Sequence, residues 1–382
     1  MGVSDAQEIV LIVLTIVSSL ISVTGSSLVL HVIRKDLQKS SPYHRLIAGM
    51  SCVDLIFSTS CILQMFLRPK FLGIPGAIGN FATCSFVGFF FVSGSMAVAI
   101  YSVLISGNAY LLVCRRWSEK AIATSWERKG HVASGILPLT LMIPAAFTKT
   151  INVPHLSSIC VLFVYPQECF QNEDEVECTR GGGLYFPMAV TFTVAVLLCS
   201  ITSCVLTIKV YRSVKCTIRR SSQYNFQEQV QNSDEQPNLP SSSTASSRKE
   251  NKDNISKSGQ TQLDLVRSQT IRFFFAYLNS IIWPLLMIVV GNVAEDVDKA
   301  YPIRLVSAMF YPLQGGFNMI IFFKPSINAW KRSQPELSLK EIMHAIVVER
   351  ELHPPRRRLK SSSQSKSSKP SLEEIQNQSG YF

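Results

Sequence analysis

Seven apolar stretches dominate the chain, and their length constrains its fold more than any other feature. Each is close to the roughly 20 residues that an α-helix needs to cross the hydrocarbon core of a bilayer. Backbone polar groups in lipid must be paired within the segment, and the stretches are too long and continuous for barrel strands. The sequence therefore predicts an all-α membrane protein, a seven-transmembrane helix bundle with spans near 8–33, 45–67, 84–113, 131–151, 185–208, 271–291 and 303–323.

The amino-acid composition supports the membrane class. The chain is 47% hydrophobic and 16% charged, whereas a soluble domain carries about a quarter charged residues. Residues 1–7 are too short for a domain and lack the basic start and small-residue cleavage site of a signal peptide. We therefore expect a short extracellular N-terminus and a first span that acts as its own insertion signal.

The distribution of charge predicts the orientation. With the N-terminus outside, the outer segments 1–8, 68–83, 149–184 and 292–304 hold six Lys and Arg against ten Asp and Glu. The inner segments hold 31 Lys and Arg against 15 Asp and Glu. This positive-inside bias predicts a multi-pass protein of the cell membrane with its C-terminus inside. The same bias explains the net charge of +11, because the excess Lys and Arg lie in the inner segments. The charge is therefore not evidence for a nucleic-acid partner.

The chain divides into one membrane domain, 8–332, and a cytoplasmic tail, 333–382. The third inner loop, about 217–265, and the Ser/Arg/Lys-rich end of the tail have too few apolar residues to offset their ordering entropy, so both are predicted to be disordered. Residues 325–332 predict a short surface helix that contacts lipid at the inner membrane face. The amphipathic stretch 337–352 is either a second surface helix or a partner site.

Asp54 lies near the middle of the second span. An ionised carboxylate at that depth costs at least about 2.5–3.5 kcal/mol, so it needs partners. The candidates are Asn318, Asn279 and either Ser93 or Ser95. We interpret this set as a polar or cation-binding switch at the bundle centre, and a protonated or satisfied structural aspartate is the alternative.

Prolines inside the spans predict hinges, because each removes a helix hydrogen bond and kinks the helix. The best candidates are Trp283-Pro284 in the sixth span and Tyr311-Pro312 in the seventh. Proline is also common in membrane helices, so each position alone is a weak signal.

Four of the ten cysteines fall outside in this topology: Cys84, Cys160, Cys169 and Cys178. An even set in an oxidising compartment predicts two disulfides. A Cys84–Cys178 bridge, which would tie the second outer loop over the bundle mouth, is the preferred pairing, and Cys84–Cys169 is the alternative.

The end of the seventh span carries a family resemblance. Asn318, an aromatic residue four positions later and a short basic amphipathic stretch resemble the same region of G-protein-coupled receptors. The Pro-Leu-Gln-Gly core that begins at Pro312 looks more like the cyclic-AMP-receptor-like and secretin-like branches, and like receptor-type proteins of protists and algae. The resemblance covers roughly 1–332. Its other parts are Asp54-Leu55, Cys84, Cys178 and Trp283-Pro284.

Departures from the rhodopsin-like branch are visible as well. No acidic residue precedes Arg115 or Arg116 at the inner end of the third span, so the Asp/Glu-Arg-Tyr motif is missing. The seventh span has no mid-span lysine for a retinal Schiff base. The short N-terminus leaves no room for a large hormone-binding domain.

The resemblance implies a receptor that binds a small extracellular ligand and couples to a heterotrimeric G protein, with kinases and arrestin-like proteins as further partners. Opening of the sixth span would expose a basic inner rim, whose alternative role is to anchor loops at lipid headgroups. The rim residues are Arg115, Arg116, Lys209, Arg212, Lys215 and Arg272. Ser221, Ser222 and Ser361 follow basic runs and are predicted phosphorylation sites, with an unmodified tail as the alternative.

Two other functional classes have less support in the sequence. An enzyme is not expected, because no three histidines converge and no phosphate loop or Ser/His/Asp arrangement is visible, and no metal or cofactor is predicted. A seven-span transporter or channel-like protein for a small solute is the alternative function, although the first three and last three spans show no internal repeat. Acidic residues in the second outer loop suggest either a cationic ligand or a solvated loop.

Overall fold

The computed structural model describes residues 4–36, 41–154, 159–166, 169, 176–234, 268–279, 281–283, 285–286, 297–349 and 352. Within these residues the chain is almost entirely helical. The helices are α1 Asp5–Ile33, α2 Pro42–Leu67, α3 Phe81–Val113, α4 Glu119–Phe147, α5 Tyr185–Asp234, α6 Val297–Phe310, α7 Gln314–Ser333 and α8 Leu339–Val347. A short antiparallel hairpin, β1 Ile151–Asn152 and β2 Val161–Leu162, lies between α4 and α5.

Six helical segments of the described chain are long and apolar enough to cross a membrane. They are α1 to α5 and the continuous pair α6–α7, which the 3-10 turn Tyr311–Leu313 joins. This confirms an all-α, multi-span membrane protein. The predicted span 271–291 falls partly outside the described residues, but 268–279 are helical.

Local sequence explains where the helices begin. Ser4 accepts a hydrogen bond from the backbone N–H of Gln7, and Asn80 accepts from that of Thr83, each as part of a reciprocal capping box. Pro42 opens α2, where a missing N–H costs nothing. These caps pair backbone donors that would otherwise be unsatisfied in the first turn.

Helix α3 lies at the centre of the bundle and is the most deeply buried of the six segments. It packs against α2, α4, α5 and the hairpin, while α1 packs against α2, α6 and α7. Helix α5 is the least buried. Its outward residues, such as Leu198 and Ile201, are exposed, as expected for side chains that face lipid.

Two ends of the bundle are distinguished below. The disulfide end contains the start of α1, the end of α2 and the start of α3 with the Cys84–Cys160 bridge. The α8 end contains the end of α1, the start of α2 and the end of α3, and α8 packs there against α1 and α7.

The structure corrects the predicted surface helix at 325–332. Helix α7 continues through Pro325 to Ser333 without a break, so no separate helix follows the seventh span there. Proline removes only its own bond to Ile321 and can be accommodated by a bend. Trp330 is buried, which keeps the extension packed against the bundle.

The third inner loop also differs from its prediction. Helix α5 extends to Asp234, so the first part of the predicted disordered segment 217–265 is helical. Residues 223–233 contain four Gln and one Glu, and both residue types favour helix. The remainder, 235–267, lies outside the described residues.

Candidate functional site

Asp54 forms a polar contact with the seventh span at the centre of the bundle. Its carboxylate is fully buried, and Asn318 Nδ2 donates to Asp54 Oδ2 at 2.8 Å. Gln314, one turn earlier in α7, donates from Nε2 to Asn318 Oδ1 at 3.2 Å. The other carboxylate oxygen, Oδ1, is buried with no hydrogen-bond partner among the described residues. One oxygen of the Asp54 carboxylate is thus held by α7.

A seam of small residues brings α1, α2 and α7 together beside Asp54. Ser58 Oγ donates to Ser22 Oγ at 2.8 Å, and the same Ser22 oxygen accepts from the backbone N–H of Gly315 at 2.9 Å. A Cβ on Gly315 would collide with the hydroxyls of Ser22 and Ser26, and one on Gly25 would lie 2.9 Å from the Gly315 carbonyl. The close approach of α1 and α7 therefore requires glycine on both helices.

None of the other predicted partners of Asp54 is recorded in contact with it among the described residues. Asn279 accepts from Trp283 Nε1 at 3.3 Å through its Oδ1 atom. Ser95 donates to the carbonyl of Val92 at 2.8 Å. Ser93 Oγ is buried without a hydrogen-bond partner in the described part of the chain. The structure thus joins Asp54 to Asn318 and Gln314, and not to Asn279.

The predicted hinge residues have different local structures. Pro312 lies in the 3-10 turn between α6 and α7, so the seventh span is interrupted there. The preceding Tyr311 ring packs edge-on against Phe57 and Phe91, with centroids 5.2 and 5.6 Å away. Pro284 lies outside the described residues. Hinge motion at either site stays a prediction.

The disulfide pairing differs from the prediction. Cys84 is bonded to Cys160, and Cys169 to Cys178, so both the Cys84–Cys178 pairing and its Cys84–Cys169 alternative were wrong. The cause is the hairpin, which packs on α3 and places the residue before β2 beside Cys84. The backbone N–H of Cys160 also donates to Gln64 Oε1 at 2.7 Å. The pattern of cysteines alone did not reveal the hairpin.

Arg180 holds the loop before α5 against α3 and the hairpin. Its Nε donates to Asn152 Oδ1 at 2.7 Å, and its guanidinium donates to Ser85 Oγ at 3.1 Å. The guanidinium carbon also lies 4.3 Å from the centroid of the Phe81 ring. Partial burial lowers the pKa of Arg180, but the side chain remains a cation because an arginine pKa is so high.

A buried ion cluster at the disulfide end was missed by the sequence analysis. Glu8 in α1 contacts Arg68 at 3.0 Å and Arg304 at 3.3 Å, and all three side chains are buried. Burial lowers the pKa of Arg68, and the contact with Glu8 opposes this effect. Each residue lies near the same end of a predicted span, which is the signal that could have brought them together.

The predicted basic rim is collected at the α8 end. Arg115 and Arg116 follow the end of α3 and are exposed, as are Lys209 and Arg212 on α5, whereas Arg272 is half-buried. These side chains therefore form a mostly exposed basic surface at the α8 end. Ser221 and Ser222 lie in the extension of α5, and Ser361 is outside the described residues.

A second charged network at the α8 end joins α2, α3 and α4. Arg45 contacts both carboxylate oxygens of Glu127, at 2.6 and 2.7 Å. His131 lies one turn later, with Nε2 3.7 Å from the same carboxylate. Its Nδ1 is 2.8 Å from the hydroxyl of Tyr101 on α3. The sequence analysis did not connect these residues, because they come from three separate helices.

Comparison with known proteins gives a partial match. No family model matches the sequence. The chain is similar to Olfactory receptor 2H2 of Homo sapiens, with 29% identity over 108 residues. The match covers 28% of this chain and 34% of the receptor. It supports a membrane protein that resembles G-protein-coupled receptors. The cyclic-AMP-receptor-like and secretin-like branches are not distinguished by it and stay a prediction.

Proposed function

We propose that this protein is a cell-surface receptor that binds a small extracellular ligand and activates a heterotrimeric G protein. The disulfide end faces the outside and the α8 end faces the cytosol. The protein acts as a signal transducer and not as an enzyme. Receptor kinases and arrestin-like proteins are its proposed further partners.

The two ends support this orientation on separate grounds. Disulfides persist in an oxidising compartment, which favours the outside for Cys84–Cys160 and Cys169–Cys178. Exposed basic residues near the opposite end, including Arg115 and Arg116, favour the cytosol under the positive-inside rule.

The observation that carries the receptor class is the similarity to an olfactory receptor on a chain with six candidate spans. The alternative of a solute transporter has no comparable support. Because only about a third of that receptor is matched, the coupling partner and ligand of this chain need direct experiments.

The Asp54–Asn318 contact is the proposed switch. It joins α2 to the part of the seventh span that follows the 3-10 turn at Pro312. A ligand that binds one arrangement of the seventh span better than another would shift the population between them. A proton or cation on the second oxygen of Asp54 would change the strength of the contact and bias the same equilibrium.

The test is nucleotide exchange on co-expressed G proteins, measured beside surface expression. We expect Asp54→Asn and Asn318→Ala each to change exchange by roughly five-fold or more, the lower end of typical conformational coupling. The double variant should resemble the single ones, because the two residues act through one contact. Asn279→Ala is the matched control, since Asn279 contacts Trp283 and not Asp54. Equal loss of signal and surface expression would make Asp54 a structural residue.

A second assay separates a receptor from a transporter. Purified protein in vesicles should show no solute flux above empty vesicles, while the same preparation stimulates exchange on added G protein. Flux without exchange for any G protein would overturn the receptor proposal. A C-terminal tag that antibodies reach on intact cells would overturn the orientation.

A further inference from the structure

The apolar face of α8 is buried against the bundle. Ile342 and Ile346 are fully buried and Ala345 nearly so. The helix packs against α1 and α7. At the first position of the helix, by contrast, Leu339 is 54% exposed. The amphipathic stretch at 337–352 was interpreted as a surface helix or a partner site, and here its apolar face instead fills a position inside the protein.

Polar contacts fix α8 only weakly. Ser338 and Glu341 form a capping box at its start, and this lowers the pKa of Glu341, a fully solvated side chain. Lys35, just after α1, donates to the Glu349 carbonyl at the long distance of 3.5 Å. A helix as short as α8 is marginal by itself in water. Burial of Ile342 and Ile346 is therefore what holds α8 in place.

The core cluster that receives α8 also contains the residues of the last spans. It includes Phe322 and Phe323 on α7 and Phe273 and Tyr277 on the 268–279 helix. Tyr43 on α2 packs edge-on against Phe273, with ring centroids 6.4 Å apart. Helix α8 thus completes a cluster through which the sixth and seventh spans pack against the rest of the bundle.

We propose that α8 is an autoinhibitory clasp: by packing between the cytosolic ends of α1 and α7, it holds the seventh span in its resting position and keeps signalling low without ligand. This inference rests on the proposed function. Undocking of α8 removes Ile342, Ala345 and Ile346 from the cluster. This lowers the free energy that is needed to move α7. The clasp therefore sets the fraction of receptor molecules in the resting state, while the ligand acts from the disulfide end of the bundle.

The experiment compares two variants that place the same charge at a buried and at an exposed position of α8. Ile342→Glu buries a carboxylate in the cluster and should release the helix, because an unpaired buried charge is far less stable than a solvated one. Leu339→Glu adds the same charge at an exposed position and is the matched control. Basal nucleotide exchange per receptor at the surface should rise roughly five-fold or more for Ile342→Glu and remain at the wild-type level for Leu339→Glu.

A truncation after Pro335 removes α8 and is a second way to produce a receptor without the clasp. It should raise basal exchange as Ile342→Glu does, and a synthetic peptide of residues 336–352 should lower it again. The same peptide with Ile342→Glu should have no effect. This arm does not depend on how well a buried glutamate is tolerated during folding.

The outcomes separate the clasp from the receptor proposal. Wild-type stimulation of exchange, with Ile342→Glu and the truncation both at wild-type level or below it, would overturn the clasp alone. Absence of exchange for the wild type and every variant, with all G protein classes tried, would overturn both. A peptide that lowers exchange equally with and without Ile342→Glu would also contradict the clasp.

Discussion

Both ends of the bundle have an apolar core, but they differ in the other contacts that accompany it. At the disulfide end, Cys84–Cys160 links α3 to the hairpin, Cys169–Cys178 closes a stretch of the loop before α5, and the buried cluster of Glu8, Arg68 and Arg304 joins α1, the end of α2 and α6. At the α8 end, apolar and aromatic packing predominates, with the partly exposed Arg45–Glu127 pair beside it. Covalent bonds and buried charges are costly to separate, whereas apolar contacts can shift and re-form. The difference suits a bundle that is fixed at one end and adjustable at the other.

Replacement of Glu8 is expected to give the largest effect and is the strongest test of the contrast between the two ends. Replacement by Gln leaves Arg68 and Arg304 buried without their shared carboxylate, and loss of one partner from a buried ion pair typically costs about 3–5 kcal/mol. We expect a large fall in the midpoint of thermal unfolding of the detergent-solubilised protein. Asp5→Asn is the control, because Asp5 is an exposed acid in the same first turn. Similar unfolding midpoints for the two variants would mean that the cluster does not stabilise this end.

The Cys84–Cys160 bridge should have the next largest effect. It closes a loop with a sequence separation of 76 residues, and loss of a native disulfide typically costs about 2–5 kcal/mol. Cys84→Ala and Cys160→Ala should give the same reduction in surface expression and unfolding midpoint. Cys178→Ala should give a smaller one, because its bridge spans a separation of 9 residues. A Cys178→Ala variant that matches Cys84→Ala, with normal Cys160→Ala protein, would restore the predicted pairing.

Sequence was informative where a property is carried by single segments. Apolar length predicted the six candidate spans that the described residues contain, and the depth of Asp54 in α2 predicted a buried polar partner, of which Asn318 is the one found. Contacts between segments that are distant in the sequence were harder to predict. The hairpin that brings Cys160 to Cys84 has only two residues in each strand, too few for a periodic signal. The sequence placed Glu8, Arg68 and Arg304 near the same end of their spans but did not show that they meet, and it did not show the docking of α8, because both depend on which helix faces are neighbours.

Between the two ends, the glycine seam of α1 and α7 provides a third test. Gly315→Ala would push a methyl group into the hydroxyls of Ser22 and Ser26, and overpacking of this kind costs about 1–3 kcal/mol. We expect a lower unfolding midpoint and altered basal exchange, since the seam adjoins the Asp54–Asn318 contact. Gly135→Ala is the control, because its Cβ meets no atom within 4 Å and alanine favours helix. An unchanged unfolding midpoint in Gly315→Ala would show that the packing of α1 on α7 does not require glycine at this position.

The smallest effect is expected at the α8 end, in the Arg45–Glu127 pair. Its side chains are 25% and 8% exposed, and a pair in partial contact with solvent is worth about 0.2–1 kcal/mol. A double-mutant cycle with Arg45→Gln and Glu127→Gln, measured by thermal unfolding, isolates that energy from the effects of each side chain alone. Because Glu127 also lies near His131, the cycle should be repeated with His131→Gln to separate the two contacts. A coupling energy as large as the loss in Glu8→Gln would show that both ends are fixed by buried charge, and the contrast between an anchored end and an adjustable end would no longer hold.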